Sequence, residues 1–232
     1  MNPLAIFDRD GTIVDVVRDE ETGAITVAFH PAQLRLLPDA VEGMRALQDA
    51  GFTLAIATNQ PAPAKGQFSA AAVARTNEAL VARLGDAGIR VAALEVCMHH
   101  PEGGPGGDPD LVQACGCRKP RPGMIERLLS RQRGDPARSW MIGDGAGDVE
   151  AGRAAGVSTA LVFAPNRCEL CPLREPSGGL APSSPSVAPR AGSLAAAPPG
   201  AGAETSARPP RSIVPDVHGA TLLEVARKIL AR

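Results

Sequence analysis

The stretch LAIFDRDGT, residues 4–12, joins an apolar run to a cluster of acidic residues. Its apolar part, Leu4–Phe7, is short and uninterrupted, as expected of a strand that is buried on both faces of a parallel sheet. Asp8 and Asp10 follow directly, and residues two apart in extended backbone project to the same side. The sequence therefore predicts a buried strand that ends in two adjacent carboxylates.

Short apolar runs alternate with amphipathic stretches along the rest of the chain, which is typical of a parallel sheet covered by helices. The further predicted strands are residues 52–57, 91–96, 140–143 and 158–163. The predicted helices are residues 39–50, 70–87, 122–133 and 221–230, with a short helix after the strand at 140–143. Reactive side chains follow the strand ends, and in such sheets ligands bind at that edge. We predict an α/β fold: a Rossmann-like parallel sheet with helices on both faces, capless, with no large domain inserted between its strands.

The composition changes near residue 175. Residues 175–212 consist mostly of Pro, Ala, Gly and Ser, which cannot bury enough apolar surface to offset the entropy of ordering. We predict a core at residues 1–174, a disordered low-complexity insertion at 175–212, and a C-terminal segment at 213–232 whose helix docks back on the core.

Charge and hydropathy narrow the choice of partner. The chain of 232 residues has 24 basic and 25 acidic side chains, without the clustered basic face that nucleic-acid binding needs. No apolar run approaches the roughly 18 to 20 residues of a membrane span, and Asp8 interrupts the first run before a secretory signal can form. We predict a cytoplasmic monomer that acts on a small molecule, with no nucleic-acid or membrane partner.

Asp8 and Asp10 suit phosphoryl transfer. One carboxylate can attack phosphorus, and the other can protonate the leaving oxygen and later deprotonate water. Two adjacent anions repel a phosphate dianion, so a divalent cation is needed, and hard oxygen ligands suit Mg²⁺. Taken alone, residues 8–12 are also compatible with an ordinary turn.

Four short motifs together resemble those of the haloacid dehalogenase superfamily of phosphatases. In chain order they are residues 8–12, Thr58 with Asn59, Lys119, and Asp144 followed by Asp148. The resemblance spans residues 4–163. It implies a phosphoric monoester hydrolase in which Asp8 is the nucleophile and Asp10 the general acid and base. It further implies Mg²⁺ held by Asp8, Asp10 and Asp144, and substrate-binding residues that supply donors and positive charge: Thr58, Asn59, Gln60, Lys65, Arg118 and Lys119.

A second metal site is predicted around residues 97–117. Cys97, His99, Cys115 and Cys117 form a complete Cys₃His set, the closed type typical of structural zinc, and His100 is an alternative ligand. The loop between them is rich in Gly, Pro and Asp, so the metal would supply its ordering energy, and we predict a zinc-stabilised loop in the fold.

This set and the sequence CRKP at residues 117–120 resemble the zinc-bearing branch of the superfamily. That branch contains D-glycero-D-manno-heptose 1,7-bisphosphate 7-phosphatases and histidinol-phosphate phosphatases, and the long loop after His99 is more similar to the heptose enzymes. Pro61, Lys65 and Gly145 depart from the heptose pattern, where serine, arginine and lysine are usual. We expect the 7-phosphate of heptose bisphosphate as substrate, with histidinol phosphate or another sugar phosphate as alternatives. A catalytically weak zinc-loop scaffold is the alternative from a different class.

Two features stay outside this scheme. Cys168 and Cys171 form a C-x-x-C pair with no nearby third ligand, so we expect ordinary thiols. Arg9, between the two acids, is expected to face away from both by strand alternation.

Overall fold

The computed structural model describes residues 1–18, 25–163 and 214–232 of the chain. The predicted disordered insertion and the Cys168 and Cys171 pair lie outside the described residues. The strands are β1 (Leu4–Phe7), β2 (Val17–Arg18), β3 (Ile25–Thr26), β4 (Thr53–Asn59), β5 (Val91–Cys97), β6 (Trp140–Gly143), β7 (Ser158–Val162) and β8 (Val217–Gly219). The α-helices are α1 (Ala40–Asp49), α2 (Ala70–Asp86), α3 (Gly123–Arg131), α4 (Ala146–Ala154) and α5 (Leu222–Leu230).

Six strands form one parallel sheet in the order β5-β4-β1-β6-β7-β8. The buried strand β1 lies in the middle of it, and its last residue, Phe7, is paired with Ile56 of β4 and Ile142 of β6. The remaining strands, β2 and β3, form a separate antiparallel pair. The predicted Rossmann-like parallel sheet is confirmed, and the first acidic motif leaves its central strand.

Helices cover both faces of the sheet, as predicted. On one face α1, α2 and α5 contribute Met44, Leu80 and Val225 to an apolar core. On the other face α3 and α4 contribute Leu128 and Ala151 to a second core. Since the sheet is buried on both sides, its strand ends are held rigidly, which fixes the positions of the polar residues that follow them.

The C-terminal helix α5 packs against α1. A Cβ atom at Gly43 of α1 would lie 2.7 Å from the backbone carbonyl carbon of Leu222, so the two helices approach at a glycine. The side chain of Thr221 caps the helix by accepting from the backbone N–H of Glu224. The helix predicted at residues 221–230 is thus confirmed. In the described part of the chain, no helix is long and apolar enough to cross a membrane.

Strand β4 is longer than predicted. It continues through Thr58 and Asn59, which are paired with Val96 and Cys97 of β5. A parallel ladder is built from backbone groups, so it continues past the point where side chains become polar. These residues therefore lie on a strand rather than in the loop after it.

Strand β6 has the predicted bounds and begins at Trp140, which is 7% exposed and pairs with Ala5 of β1. Strand β8, by contrast, was not predicted. Its three residues, Val217–Gly219, are too few to show a period of two in the sequence.

Candidate active site

The carboxyl ends of the central strands meet at a cavity of about 180 Å³. It is lined by Asp8, Asp10, Val27, Asn59, Lys119, Gly147 and Asp148. Among these are four predicted site residues, which come from parts of the chain more than 100 residues apart. The cavity lies at the sheet edge where ligands of such folds bind.

Lys119 is buried next to two acids. Its Nζ lies 2.7 Å from Oδ1 of Asp8 and 2.6 Å from Oδ1 of Asp148, and it donates to the carbonyl oxygen of Ala57 at 2.8 Å. Burial alone would lower the pKa of Lys119, but the carboxylates of Asp8 and Asp148 outweigh it and raise the pKa above its ordinary value. Lys119 is therefore a fixed positive charge beside Asp8.

Three carboxylates form a group at the same place. Oxygens of Asp8, Asp144 and Asp148 lie within 4.8 Å of one another. Burial, and then the negative charge of Asp8, raise the pKa of Asp148. Gly11 stands against them with a φ of +85°, and a Cβ atom there would lie 1.9 Å from Oδ2 of Asp144. Close carboxylates repel one another unless a cation is present, so this donor set fits a hard divalent ion such as Mg²⁺.

Asp10 has different partners. Its Oδ1 accepts from Nη2 of Arg9 at 2.9 Å, and its Oδ2 accepts from Nε2 of Gln60 at 2.6 Å. Burial raises the pKa of Asp10, although the ion pair with Arg9 opposes the rise. Of the predicted magnesium ligands, Asp8 and Asp144 lie in the carboxylate group, whereas the Asp10 side chain is bound to Arg9 and Gln60.

The expectation that Arg9 faces away from both acids is wrong. Strand β1 ends at Phe7, and the backbone then turns, with the N–H groups of Ile13 and Val14 both donating to the carbonyl oxygen of Arg9. Strand alternation therefore does not extend to this residue, and its guanidinium binds Asp10.

The polar residues of β4 bond within the protein. The side chain of Asn59 accepts from the backbone N–H of Lys119 at 3.1 Å and donates to its carbonyl oxygen at 3.0 Å. The hydroxyl of Thr58, which is 1% exposed, accepts from Nε2 of Gln60 at 2.9 Å. Of these three predicted substrate-binding residues, Asn59 lines the cavity, whereas Thr58 and Gln60 are buried and are not among its lining residues.

All four predicted zinc ligands lie together. The Sγ of Cys117 is 3.2 Å from Sγ of Cys97, 3.3 Å from Sγ of Cys115 and 3.3 Å from Nδ1 of His99. Sulfur ligands about 2.3 Å from a shared tetrahedral ion lie roughly 3.8 Å apart, so a small outward shift of these side chains suffices to surround Zn²⁺. Burial raises the pKa of the Cys97 thiol, a cost that a bound cation offsets. The donor set fits zinc.

His100, the alternative zinc ligand, lies outside this group. Its Nδ1 accepts from the backbone N–H groups of Glu102 and Gly103, at 3.2 and 3.1 Å. Desolvation, and then the positive charges of Lys65 and Arg118, lower the pKa of His100. Two predicted substrate-binding cations therefore act on one imidazole at the start of the zinc loop.

Three cavity residues were not assigned a role from the sequence: Val27, Gly147 and Asp148. Asp148 lies in the first turn of α4, and its Oδ2 accepts from the backbone N–H of Gly145 at 3.1 Å. Asp148 belongs to the fourth motif, and its position four residues after Asp144 is the signal that could have placed it among the predicted ligands. Val27 and Gly147 have no reactive group and gave no signal.

Comparison with known proteins agrees with this site. Residues 15–156 match the family model of the haloacid dehalogenase-like hydrolases. D-glycero-beta-D-manno-heptose-1,7-bisphosphate 7-phosphatase of Rhodopseudomonas palustris is 38% identical over 156 residues, 67% of this chain and 80% of that protein. The enzyme of the same name from Salmonella typhi is 32% identical over 161 residues, 69% of this chain and 79% of that protein.

A solved structure of a heptose bisphosphate phosphatase is also similar to this chain. The D,D-heptose 1,7-bisphosphate phosphatase of B. bronchiseptica, solved with magnesium and phosphate, has a TM-score of 0.55 and 29% identity, covering 68% of this chain and 79% of that one. The predicted superfamily is confirmed by the family match and by the extent of the similar chains. The chain belongs to the haloacid dehalogenase-like hydrolases.

Proposed function

We propose that this chain is a magnesium-dependent phosphatase that removes the 7-phosphate of D-glycero-D-manno-heptose 1,7-bisphosphate. The observation that carries the proposal is the ion pair between Lys119 and Asp8, beside the carboxylates of Asp144 and Asp148. Phosphoryl transfer depends on positioning and on neutralising charge, and this cavity offers both. The names of the two relatives described above support the choice of sugar.

The proposed reaction has two steps. An oxygen of Asp8 attacks phosphorus while the bond to the ester oxygen breaks, and Asp10 gives its proton to that oxygen, so the sugar leaves as an alcohol. Water then attacks the phosphorus of the aspartyl phosphate and gives a proton to Asp10, which releases inorganic phosphate and restores both acids. The position of both acids on one cavity supports these roles.

Asp8 and Asp144 are the proposed principal ligands of Mg²⁺, with Asp148 beside them. Asp10, the third predicted ligand, is proposed chiefly as acid and base because its carboxylate is bound to Arg9 and Gln60. When bound, Mg²⁺ supplies positive charge that offsets the repulsion between these acids and a phosphate dianion.

The substrate contacts follow from charge and position. Lys119 and Asn59 line the cavity and are the proposed contacts of the reacting phosphate, while Gln60 bonds both to Thr58 and to Asp10 and is proposed to hold that acid in place. Lys65 and Arg118 are proposed to attract the rest of the substrate, and two cations near His100 suit a molecule with a second phosphate.

The Cys₃His group is proposed to hold a structural Zn²⁺, because four protein ligands leave no position for a reacting water. Lys119 comes two residues after Cys117, so an ordered zinc loop fixes the segment that carries the cation of the cavity.

The domain organisation remains a proposal as well. We propose one phosphatase core, interrupted by residues 175–212, that is completed by the C-terminal segment and acts as a monomer. The packing of α5 on α1 supports the return of the chain to the core.

A phosphate-release assay tests the function. The purified protein is given heptose 1,7-bisphosphate, histidinol phosphate and a series of sugar monophosphates, with and without Mg²⁺, beside the Asp8→Asn variant. We expect Mg²⁺-dependent release, fastest with the heptose bisphosphate and abolished in the variant. Preference for another ester would overturn the proposed substrate. If no ester releases phosphate, the proposed enzymatic activity is wrong and a scaffold role is favoured.

A further inference from the structure

Arg9 is a fully buried cation in the turn between the two proposed catalytic acids. Its Nε lies 3.1 and 3.0 Å from the two oxygens of Asp10, and its Nη2 lies 2.9 Å from Oδ1 of the same group. Both oxygens of Asp10 therefore face one planar guanidinium. A planar donor of this kind fixes the orientation of a carboxyl group, which a single point charge does not.

The guanidinium is itself held from three parts of the fold. Its Nη1 donates to Oδ1 of Asn77 on α2 at 2.7 Å. Its Nη2 donates to the carbonyl oxygen of Ala28 at 3.0 Å and to Oε1 of Gln60 at 3.1 Å. A buried charge is costly unless it is paired and hydrogen-bonded, and Arg9 is both. Because its anchors lie far apart in the sequence, they fix Arg9 only in the folded chain.

Gln60 links the same two side chains. Its Oε1 accepts from Arg9 while its Nε2 donates to Oδ2 of Asp10, so only one orientation of the amide satisfies both bonds. Arg9 and Gln60 together hold the Asp10 carboxyl group in a single orientation at the cavity.

We propose that Arg9 is a positioning residue for Asp10, and that its anchored guanidinium aims the Asp10 carboxyl group at the leaving oxygen of the substrate. This inference rests on the proposed phosphatase function and on the role of Asp10 in it. Arg9 does not line the cavity, so it acts through Asp10 rather than on the substrate.

Positioning of an acid has a kinetic signature that loss of folding lacks. An alkyl phosphate must receive a proton as its alkoxide leaves, whereas an aryl phosphate with an acidic phenol leaves without one. The ratio kcat/KM includes every step up to loss of the alcohol, so it measures this need separately from hydrolysis of the aspartyl phosphate. A misdirected Asp10 slows alkyl esters much more than activated aryl esters.

The test compares Arg9→Lys with the wild type on a sugar phosphate and on p-nitrophenyl phosphate. We expect kcat/KM to fall by about 10-fold or more on the sugar phosphate, within the range of general acid catalysis, and by less than about 3-fold on the aryl ester. In the Asp10→Asn background, the same substitution should cause no further loss on the sugar phosphate. Arg83→Lys is the matched control, since Arg83 donates to the carbonyl oxygens of Leu34 and Pro31 away from the cavity. It should leave the ratio between the two substrates unchanged.

Asn77→Ala is the second variant, which decides the question if Arg9→Lys does not fold. It removes one anchor of Arg9 but keeps the ion pair, and the Nδ2 of Asn77 has no hydrogen-bond partner that would be lost. We expect a smaller loss with the same dependence on the leaving group.

Equal losses on both esters, or a further loss in the Asp10→Asn background, would overturn the inference. An inactive wild type would instead refute the proposed function. If the wild type is active and Asp10→Asn discriminates between the esters while the Arg9 and Asn77 variants do not, only the inference fails.

Discussion

The side chain of Asn59 spans the backbone of Lys119, accepting from its N–H and donating to its carbonyl oxygen. Asn59 ends β4, and Lys119 follows the last proposed zinc ligand, Cys117, by two residues. One amide thus joins the sheet to the segment that carries the buried cation. Positions 60 residues apart in the sequence are coupled through two hydrogen bonds.

Asn59→Ala removes both bonds and should lower activity as well as stability. Each bond contributes about 1 kcal/mol net, and a displaced Lys119 should reduce kcat/KM by ~10-fold or more. The measurements are steady-state kinetics and urea unfolding. The matched control is Gln48→Ala, because the Gln48 amide also joins two backbone groups, those of Gly88 and Arg90, away from the cavity. Gln48→Ala should lose stability only, and an equal loss of activity in both variants would contradict the coupling.

Gly11→Ala should weaken the magnesium site. Alanine at a φ of +85° costs about 1–2 kcal/mol, and its Cβ would collide with the Asp144 carboxylate. Gly51→Ala is the control that separates backbone strain from the collision with Asp144. Gly51 has a φ of +89°, but nothing lies within 4 Å of the added carbon. Calorimetric titration with Mg²⁺ should show at least ~10-fold weaker binding for Gly11→Ala alone. Unchanged binding would show that Asp144 can move aside.

Lys119 should give the folded protein a stability that is lost in alkali. Its pKa is raised above the ordinary value of 10.5, so its contribution is complete below pH 10.5 and disappears as the pH rises through the folded-state pKa. The free energy of unfolding of the metal-free wild type and Lys119→Met should therefore differ by a constant amount from pH 8 to about 10, and less above. The chain has no tyrosine to titrate in this range.

The control for this measurement is Lys228→Met. Lys228 pairs with Glu224 on the surface of α5, where solvent screens the pair and it contributes little to stability. Its difference from wild type should be small at every pH. A difference for Lys119→Met that grows above pH 10.5 would contradict the sign of the shift.

Zinc removal should act on the cavity through Lys119. In Cys115→Ser we expect loss of bound zinc by elemental analysis, a lower melting temperature, and a KM raised by ~10-fold or more because the cation of the cavity is no longer fixed. Cys168→Ser, outside the predicted ligand set, should keep its zinc. Full turnover with an unchanged KM in zinc-free protein would contradict the expected coupling between the zinc site and Lys119.

The sequence predicts those strands and helices that are determined by residues close together in the chain. The apolar run before Asp8 and the run from Trp140 to Gly143 form strands with the predicted bounds. The Cys₃His group could also be predicted, because cysteine and histidine are the usual ligands of structural zinc and they occur here as two closely spaced pairs.

Contacts between distant segments could not be predicted. The direction of Arg9 depends on Asn77, 68 residues away on α2, and no periodicity encodes that contact. Likewise, Asn59 is identifiable as a polar residue near the end of a strand, but its bonds to Lys119 depend on where the zinc loop returns. Strand β8 depends in the same way on a distant segment, because its backbone pairs with β7.

Trp140, the sole tryptophan in a chain without tyrosine, is nearly enclosed at the start of β6, the strand that leads to Asp144. The ultraviolet emission of the native protein therefore comes from a single indole in the central sheet. Refolding of that sheet can be followed by fluorescence in real time, with no dye and no engineered label.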